Sequence, residues 1–122
     1  MVENLACLGE PTGKTILLAE NDTLASNCVR RMLGRENFQV VPARCGEEAL
    51  DIWKQGKYQV DLLLTDLNMP GIGGLELAER LANDTKPLKT IFISGHPDLI
   101  AEIGPRLAGY FMGKKDSRYL RV

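Results

Sequence analysis

Apolar residues along this chain fall into short unbroken runs, separated by longer stretches in which they recur every three or four positions. Runs of this length, rich in leucine and β-branched residues, predict buried strands, and the periodic stretches predict amphipathic helices. The clearest run covers residues 60–66, VDLLLTD, which stops at a carboxylate and opens into a loop carrying Asn68, Pro70, Gly71, Gly73 and Gly74. A shorter one, TILLA over Thr15–Ala19, ends in Glu20, Asn21 and Asp22. FQVVPA, residues 38–43, holds Pro42 near its end, and a residue with no N–H to donate suits a strand at a sheet edge. LKTIFIS (88–94) and GYFMG (109–113) complete the set, the second succeeded by Lys114 and Lys115.

The periodic stretches sit between these runs. Asp22 is a predicted N-cap for a helix reaching Asn37, with Leu24, Cys28, Met32 and Ala25, Val29, Leu33 inward and Arg30, Arg31 and Arg35 toward solvent. A second helix spans residues 46–55, with Ala49, Leu50 and Trp53 inward and Gly56 as its stop. The third runs from Gly74 to about Asp84 on a stripe of Leu77, Ala78, Leu81 and Ala82, and a short fourth over 97–103 is closed by Gly104 and Pro105. Strands alternating with helices over short connections predict a parallel sheet covered on both faces. Right-handed crossovers make it a doubly wound α/β sandwich of three layers with five strands. Residues 116–122 leave room for only a short fifth helix, about two turns, so the C-terminal helix is expected to be truncated or its cover supplied by a partner. Residues 1–13, MVENLACLGEPTG, show no period and are expected to form a flexible lead-in or linker, with residues 14–122 as the domain.

Composition narrows the function classes. The chain of 122 residues, 44% hydrophobic and 25% charged, is that of one globular domain. Its net charge of −1 provides no general basic field, which argues against direct nucleic-acid binding. No apolar run reaches membrane-spanning length and the first residues do not read as a signal peptide, so a cytoplasmic protein with no membrane contact is expected. Cys7, Cys28 and Cys45 lack CxxC spacing and are expected as small buried or half-buried apolar residues in a reducing compartment. LGEPTGKT, residues 8–15, imitates a phosphate-cradling loop but has Leu8 where that pattern needs glycine, and the residues from Thr15 to Ala19 read as a strand where the pattern needs a helix.

Chemistry gathers at the strand ends. In a doubly wound sheet the carboxyl ends of the strands converge, which draws together Glu20, Asn21, Asp66, Ser94 and Lys114 from four separated places. Carboxylates at one edge repel, and a cation such as Lys114 or a hard divalent metal with oxygen ligands relieves them. A hydroxyl and an ammonium beside an aspartate also suit a transferring phosphoryl group, where positioning and charge neutralisation supply most of the catalysis. Asp66 is thus read as a phosphate acceptor. His96, the sole histidine, is expected at the surface.

The sequence here resembles the receiver domain of two-component response regulators and hybrid sensor kinases, from about Lys14 to Lys115. LLLTDLNMPGIGGLEL is similar to the family's phosphoacceptor strand and loop, with Asp66 at the acceptor position, Asn68 where a backbone carbonyl ligates the metal, and Pro70 and Gly74 at the loop's proline and glycine. Ser94 matches the hydroxyl residue ending the fourth strand, Phe111 the switch aromatic and Lys114 the lysine after it. With IFISGHPD, the pattern looks most like receivers carried on hybrid histidine kinases. The resemblance implies a flavodoxin-like fold, and a signalling domain rather than an enzyme, which takes phosphate onto Asp66 with Mg²⁺ held by Glu20, Asn21, Asp66 and Asn68. It implies as partners a histidine kinase, in trans or on the same polypeptide, and a histidine phosphotransfer protein; whether the short fifth helix leaves an apolar patch for a second copy, as a homodimer, is left open by the sequence. Two positions depart from the pattern: Asn21 stands where the family has the second acid of a pair, and Lys115 where it usually has proline. An amide brings no negative charge to a hard-cation site, so weaker Mg²⁺ binding and slower phosphotransfer are expected. The alternative is a pseudo-receiver, a protein-binding module that works without phosphorylation; a cofactor-binding flavodoxin-like domain is disfavoured because the loops lack a phosphate nest.

Overall fold

A computed structural model describes residues 13–83, 88–93 and 119–121. The elements in chain order are β1 (Thr15–Ala19), α1 (Thr23–Arg35), β2 (Gln39–Ala43), α2 (Gly46–Gln55), β3 (Leu62–Asp66), α3 (Gly74–Ala82), β4 (Lys89–Ile93) and β5 (Tyr119–Arg121). The strands pair in parallel in the order β2-β1-β3-β4-β5. Chain order and sheet order differ because the chain leaves β1 to one side for β2 and returns across it to β3. The result is the doubly wound, flavodoxin-like arrangement. β2 lies at an edge, where Pro42 can sit without breaking a ladder.

The apolar runs are buried on both faces because alternate residues point to opposite sides of the sheet. Ile16, Leu18, Leu62, Leu64, Ile91 and Ile93 pack with Val29 and Leu33 of α1 and with Phe38. Leu17, Ala19, Leu63 and Phe92 point the other way and meet Ala49 and Leu50 of α2 and Leu77, Ala78 and Leu81 of α3. Each fully buried leucine or isoleucine contributes roughly 1.5–3 kcal/mol, so the two-sided core dominates stability. Trp53 lies half-buried against the second cluster, as expected of packing mass.

α2 begins and ends where the sequence places it, with Gly56 taking the left-handed conformation (φ 68°) at its C-cap. α1 also starts at its predicted cap: Asp22 Oδ1 accepts from Leu24 N at 2.9 Å and Ala25 N at 3.4 Å. Its inward face, however, is centred on Ser26, Val29 and Leu33. Leu24, expected inside, is 73% exposed, and Cys28 is exposed as well. At ~3.6 residues per turn the row 24–28 falls on the far side of the helix from Ser26, Val29 and Leu33. Cys28 is therefore a surface thiol, whereas Cys45 is half-buried. Ala82, expected on the α3 stripe, is exposed at the helix end.

The C-terminal expectation is corrected too. Residues 119–121, assigned to a short fifth helix, form β5 and pair with β4 in the register Thr90↔Tyr119 to Phe92↔Arg121. A seven-residue helix has few internal hydrogen bonds to offset nucleation, while the open edge of β4 offers backbone partners at once. The expected strand at 109–113, the helix at 97–103 and the lead-in 1–12 lie outside the described residues. Thr15 opens a strand, so the glycine-lysine-threonine imitation of a phosphate loop lacks the helix it would require.

Candidate functional site

The site is set by register. Ala19 of β1 pairs with Thr65 of β3, so Glu20 and Asp66 come next, side by side at the carboxyl end of the two central strands. Asp66 is also in register with Ile93, the last residue of β4. β3 is apolar and buried up to Thr65, after which Asp66 emerges half-exposed. A carboxylate cannot be carried further into that core without losing its hydration, so the strand's apolar run ends where the functional group begins.

Glu20 is held in a defined place. Only 3% of it is exposed, its N–H donates to Ala43 O at 3.0 Å, and its Oε2 accepts from Asp22 N at 2.9 Å. Burial raises its carboxyl above the ordinary value of 4.5; the Asp22 N–H works in the opposite direction, and the negative charges of Asp66 and Asp22 add to the rise. Asn21 and Asn68 are exposed beside this pair. Asp22, the nearest further carboxylate, is engaged as the cap of α1.

Asp66 is steadied through its backbone. The Thr65 hydroxyl donates to Asp66 O at 2.9 Å, and Gly74 N donates to Leu67 O at 2.9 Å, closing the β3–α3 loop. A side chain at Gly74 would collide with Asp66 O and come within 3.1 Å of Leu67 Cα, which is why the loop needs glycine there. Gly71 has φ +77°, a conformation that suits glycine, and Met69 anchors the same loop by burying its side chain in the α2–α3 core. Gly46 at the start of α2 lies against Ile72, with its Cβ position 2.7 Å from Ile72 O, so α2 braces the loop from the side. Thr65 and Gly46 do not stand out in the sequence as site residues. The signal for Thr65 is a polar residue inside an otherwise apolar strand; for Gly46 it is a glycine where a helix begins.

The donor set is all oxygen: the carboxylates of Glu20 and Asp66, and the amide oxygen and backbone carbonyls of the exposed asparagines. Among the described residues no group of three or more histidine, cysteine, aspartate or glutamate side chains is arranged to hold a metal. Two mutually repelling carboxylates with oxygen neighbours nevertheless fit a hard divalent ion such as Mg²⁺, which takes one or two carboxylates and keeps several waters. They do not fit a soft or nitrogen-seeking metal. Ser94, His96, Phe111 and Lys114 lie outside the described residues. Among the described residues no helix is long and apolar enough to cross a membrane.

Comparison with known proteins bears on the fold and the family. A family profile described as the response regulator receiver domain matches residues 16–105. The response regulator UvrY of Escherichia coli is 36% identical over 85 residues, 68% of this chain and 38% of that protein. The cell cycle response regulator CtrA of Brucella ovis is 31% identical over 101 residues, 83% of this chain and 41% of that protein. The chain thus spans about two fifths of these relatives' length. Among solved structures, the receiver domain of the hybrid histidine kinase CckA superposes with a TM-score of 0.65 at 28% identity, covering 82% of this chain and 97% of that one. The response regulator TrrA of Thermotoga maritima, in complex with Mg(2+)-BeF, superposes with a TM-score of 0.63 at 27% identity, covering 76% and 79%.

Proposed function

The chain belongs to the response regulator receiver family, and from that premise we propose that it is a phosphoacceptor switch in a two-component phosphorelay. A phosphoryl group passes from a phosphohistidine of a kinase to a carboxylate oxygen of Asp66: the N–P bond breaks, an O–P bond forms, and the histidine nitrogen leaves with the bonding pair. The observation that carries this reading is the pairing at the sheet's carboxyl end, a half-exposed Asp66 beside a buried Glu20. Glu20, Asn21, Asp66 and the Asn68 backbone carbonyl would hold Mg²⁺, which when bound neutralises charge on the phosphoryl oxygens. The Mg(2+)-BeF complex of the Thermotoga maritima relative supports that cofactor. Ser94 and Lys114 are assigned to steadying the phosphoryl group and Phe111 to the switch, with residues 14–122 as the functional domain.

Its proposed location is the cytoplasm and its proposed donor a histidine kinase, in trans or on the same polypeptide, with a histidine phosphotransfer protein as a further relay partner. The CckA receiver likeness favours the hybrid-kinase setting. Asn21 supports a second reading, a pseudo-receiver that binds proteins without phosphorylation, because Asp22 is already tied up as a helix cap and does not replace the missing acid. The experiment is incubation with Mg²⁺ and acetyl phosphate, then intact mass measurement. A single phosphoryl adduct, absent in Asp66→Asn, is expected; no adduct from acetyl phosphate or from a cognate kinase would leave the pseudo-receiver.

A further inference from the structure

Asp22 makes contacts in both directions along the chain. Forward, its Oδ1 accepts from Leu24 N at 2.9 Å and Ala25 N at 3.4 Å, and its carbonyl accepts from Ser26 N at 2.9 Å. Side chain and carbonyl thus both serve the first turn of α1. Backward, its own N–H donates to Glu20 Oε2 at 2.9 Å. One residue therefore joins the start of α1 to a carboxylate of the candidate site. Its backbone is extended, with φ −88° and ψ 117°, and α1 beyond it is seated on the sheet through the buried Ser26, Val29 and Leu33.

Glu20 needs that backward bond for its orientation. The sheet fixes its main chain, since Glu20 N donates to Ala43 O at 3.0 Å, but a glutamate carboxylate still turns about its side-chain torsions. The Asp22 N–H selects the direction in which this buried carboxylate faces. That N–H is in turn placed by the cap, because a chain leaving a helix without its capping acceptor frays over the residues just before it. A ligand's affinity falls with the fraction of time that the competent arrangement is populated. Order at the end of α1 is therefore worth affinity at Glu20.

Resting on the cation site of the proposed function, we propose that Asp22 is a positioning residue for the divalent ion: by capping α1 it holds the peptide N–H that orients Glu20, without being a ligand itself. Its carboxylate works on the helix and its amide on the site. Because such coupling is reciprocal, an ion held at Glu20 also steadies the cap.

The test is calorimetric titration of the full chain with Mg²⁺, on wild type, Asp22→Ala and Asp22→Asn. Asp22→Ala keeps the peptide N–H and loses the cap, and its Mg²⁺ affinity falls roughly fivefold, the scale of one lost cap. Asp22→Asn caps about as well as aspartate but carries no charge, so its affinity stays within about twofold of wild type. Thermal melts by circular dichroism in chelator verify that both variants fold, and added Mg²⁺ raises the Tm of wild type and Asp22→Asn by more than that of Asp22→Ala. An Asp22→Asn protein as weak as Asp22→Ala overturns the proposal, because Asp22 would then act through its charge. So does an Asp22→Ala protein that binds Mg²⁺ as tightly as wild type, or one whose Tm rises equally. Absence of Mg²⁺ binding by wild type is a separate failure: it removes the cation reading and this proposal with it, whereas binding that ignores Asp22→Ala removes this proposal alone.

Discussion

Gly74→Ala tests whether Asp66 is held by the close approach of α3 to the end of β3. Gly74 opens α3 and donates its N–H to Leu67 O at 2.9 Å. An added Cβ would overlap Asp66 O and stand 3.0 Å from Asp66 C and 3.1 Å from Leu67 Cα. All three obstacles are backbone, and Thr65 Oγ1 grips the same Asp66 carbonyl, so no flexible side chain can swing aside. The helix must shift or the strand end must move. Overpacking of this kind costs roughly 1–3 kcal/mol, and the strained Gly74–Leu67 hydrogen bond about 0.5–1.5 kcal/mol more. The better helix propensity of alanine returns at most ~1 kcal/mol.

The net expectation is a loss of about 2–3 kcal/mol, which for a domain of this size lowers Tm by ~6–15 °C. Thermal melts monitored by circular dichroism read it directly, and under the proposed function phosphoryl uptake falls in parallel because Asp66 is displaced. Gly34→Ala is the matched control: it lies in α1 with nothing within 4 Å of its Cβ position, so it gains about 0.5–1 kcal/mol from propensity alone. A Gly74→Ala protein melting within ~2 °C of wild type, or two variants shifting in the same direction, would refute the steric argument.

Asp22→Ala removes the only side-chain cap of α1 and should cost about 1 kcal/mol in urea unfolding; no change would mean that Thr23 or water caps as well. Glu20→Gln keeps an acceptor for Asp22 N and removes the buried charge. Glu20 is raised above 4.5, so the folded state holds its proton more tightly; that stabilisation is complete below 4.5 and is lost as pH rises through the raised value. The stability advantage of Glu20→Gln should accordingly grow as pH rises from about 4.5 to neutrality, measured by urea melts in chelator, and a flat difference would contradict the assigned burial. Asn21→Asp adds a ligand charge and should tighten Mg²⁺ binding and speed phosphorylation, as read by calorimetry and intact mass; unchanged values would show that Asn21 is not at the cation.

Much of the fold was readable because it rests on periodicity. The bounds of α2, the Asp22 cap and the edge position of β2 all come from local chemistry: a glycine stop, a short polar side chain, a proline. The inward face of α1 was not readable, since two adjacent rows of apolar residues four apart differ only in which one the sheet happens to meet. The C-terminal segment escaped for a related reason. Whether 119–121 coil or pair depends on an open strand edge far away in sequence.

The candidate site divides along the same line. Asp66 and Glu20 stand out because each ends an apolar run, and register alone then places them together. The sequence does not disclose how each acid is engaged. Glu20 accepts the Asp22 N–H, and Asp22 caps α1, so of the three acids near the sheet edge one is buried and bonded, one is turned to the helix and one, Asp66, stands half-exposed. Asn21 therefore matters more than a single substitution in a cluster of acids would suggest. With Asp22 drawn away there is no spare carboxylate beside it among the described residues, and under the proposed reading a cation here would be held by two carboxylates that already repel each other.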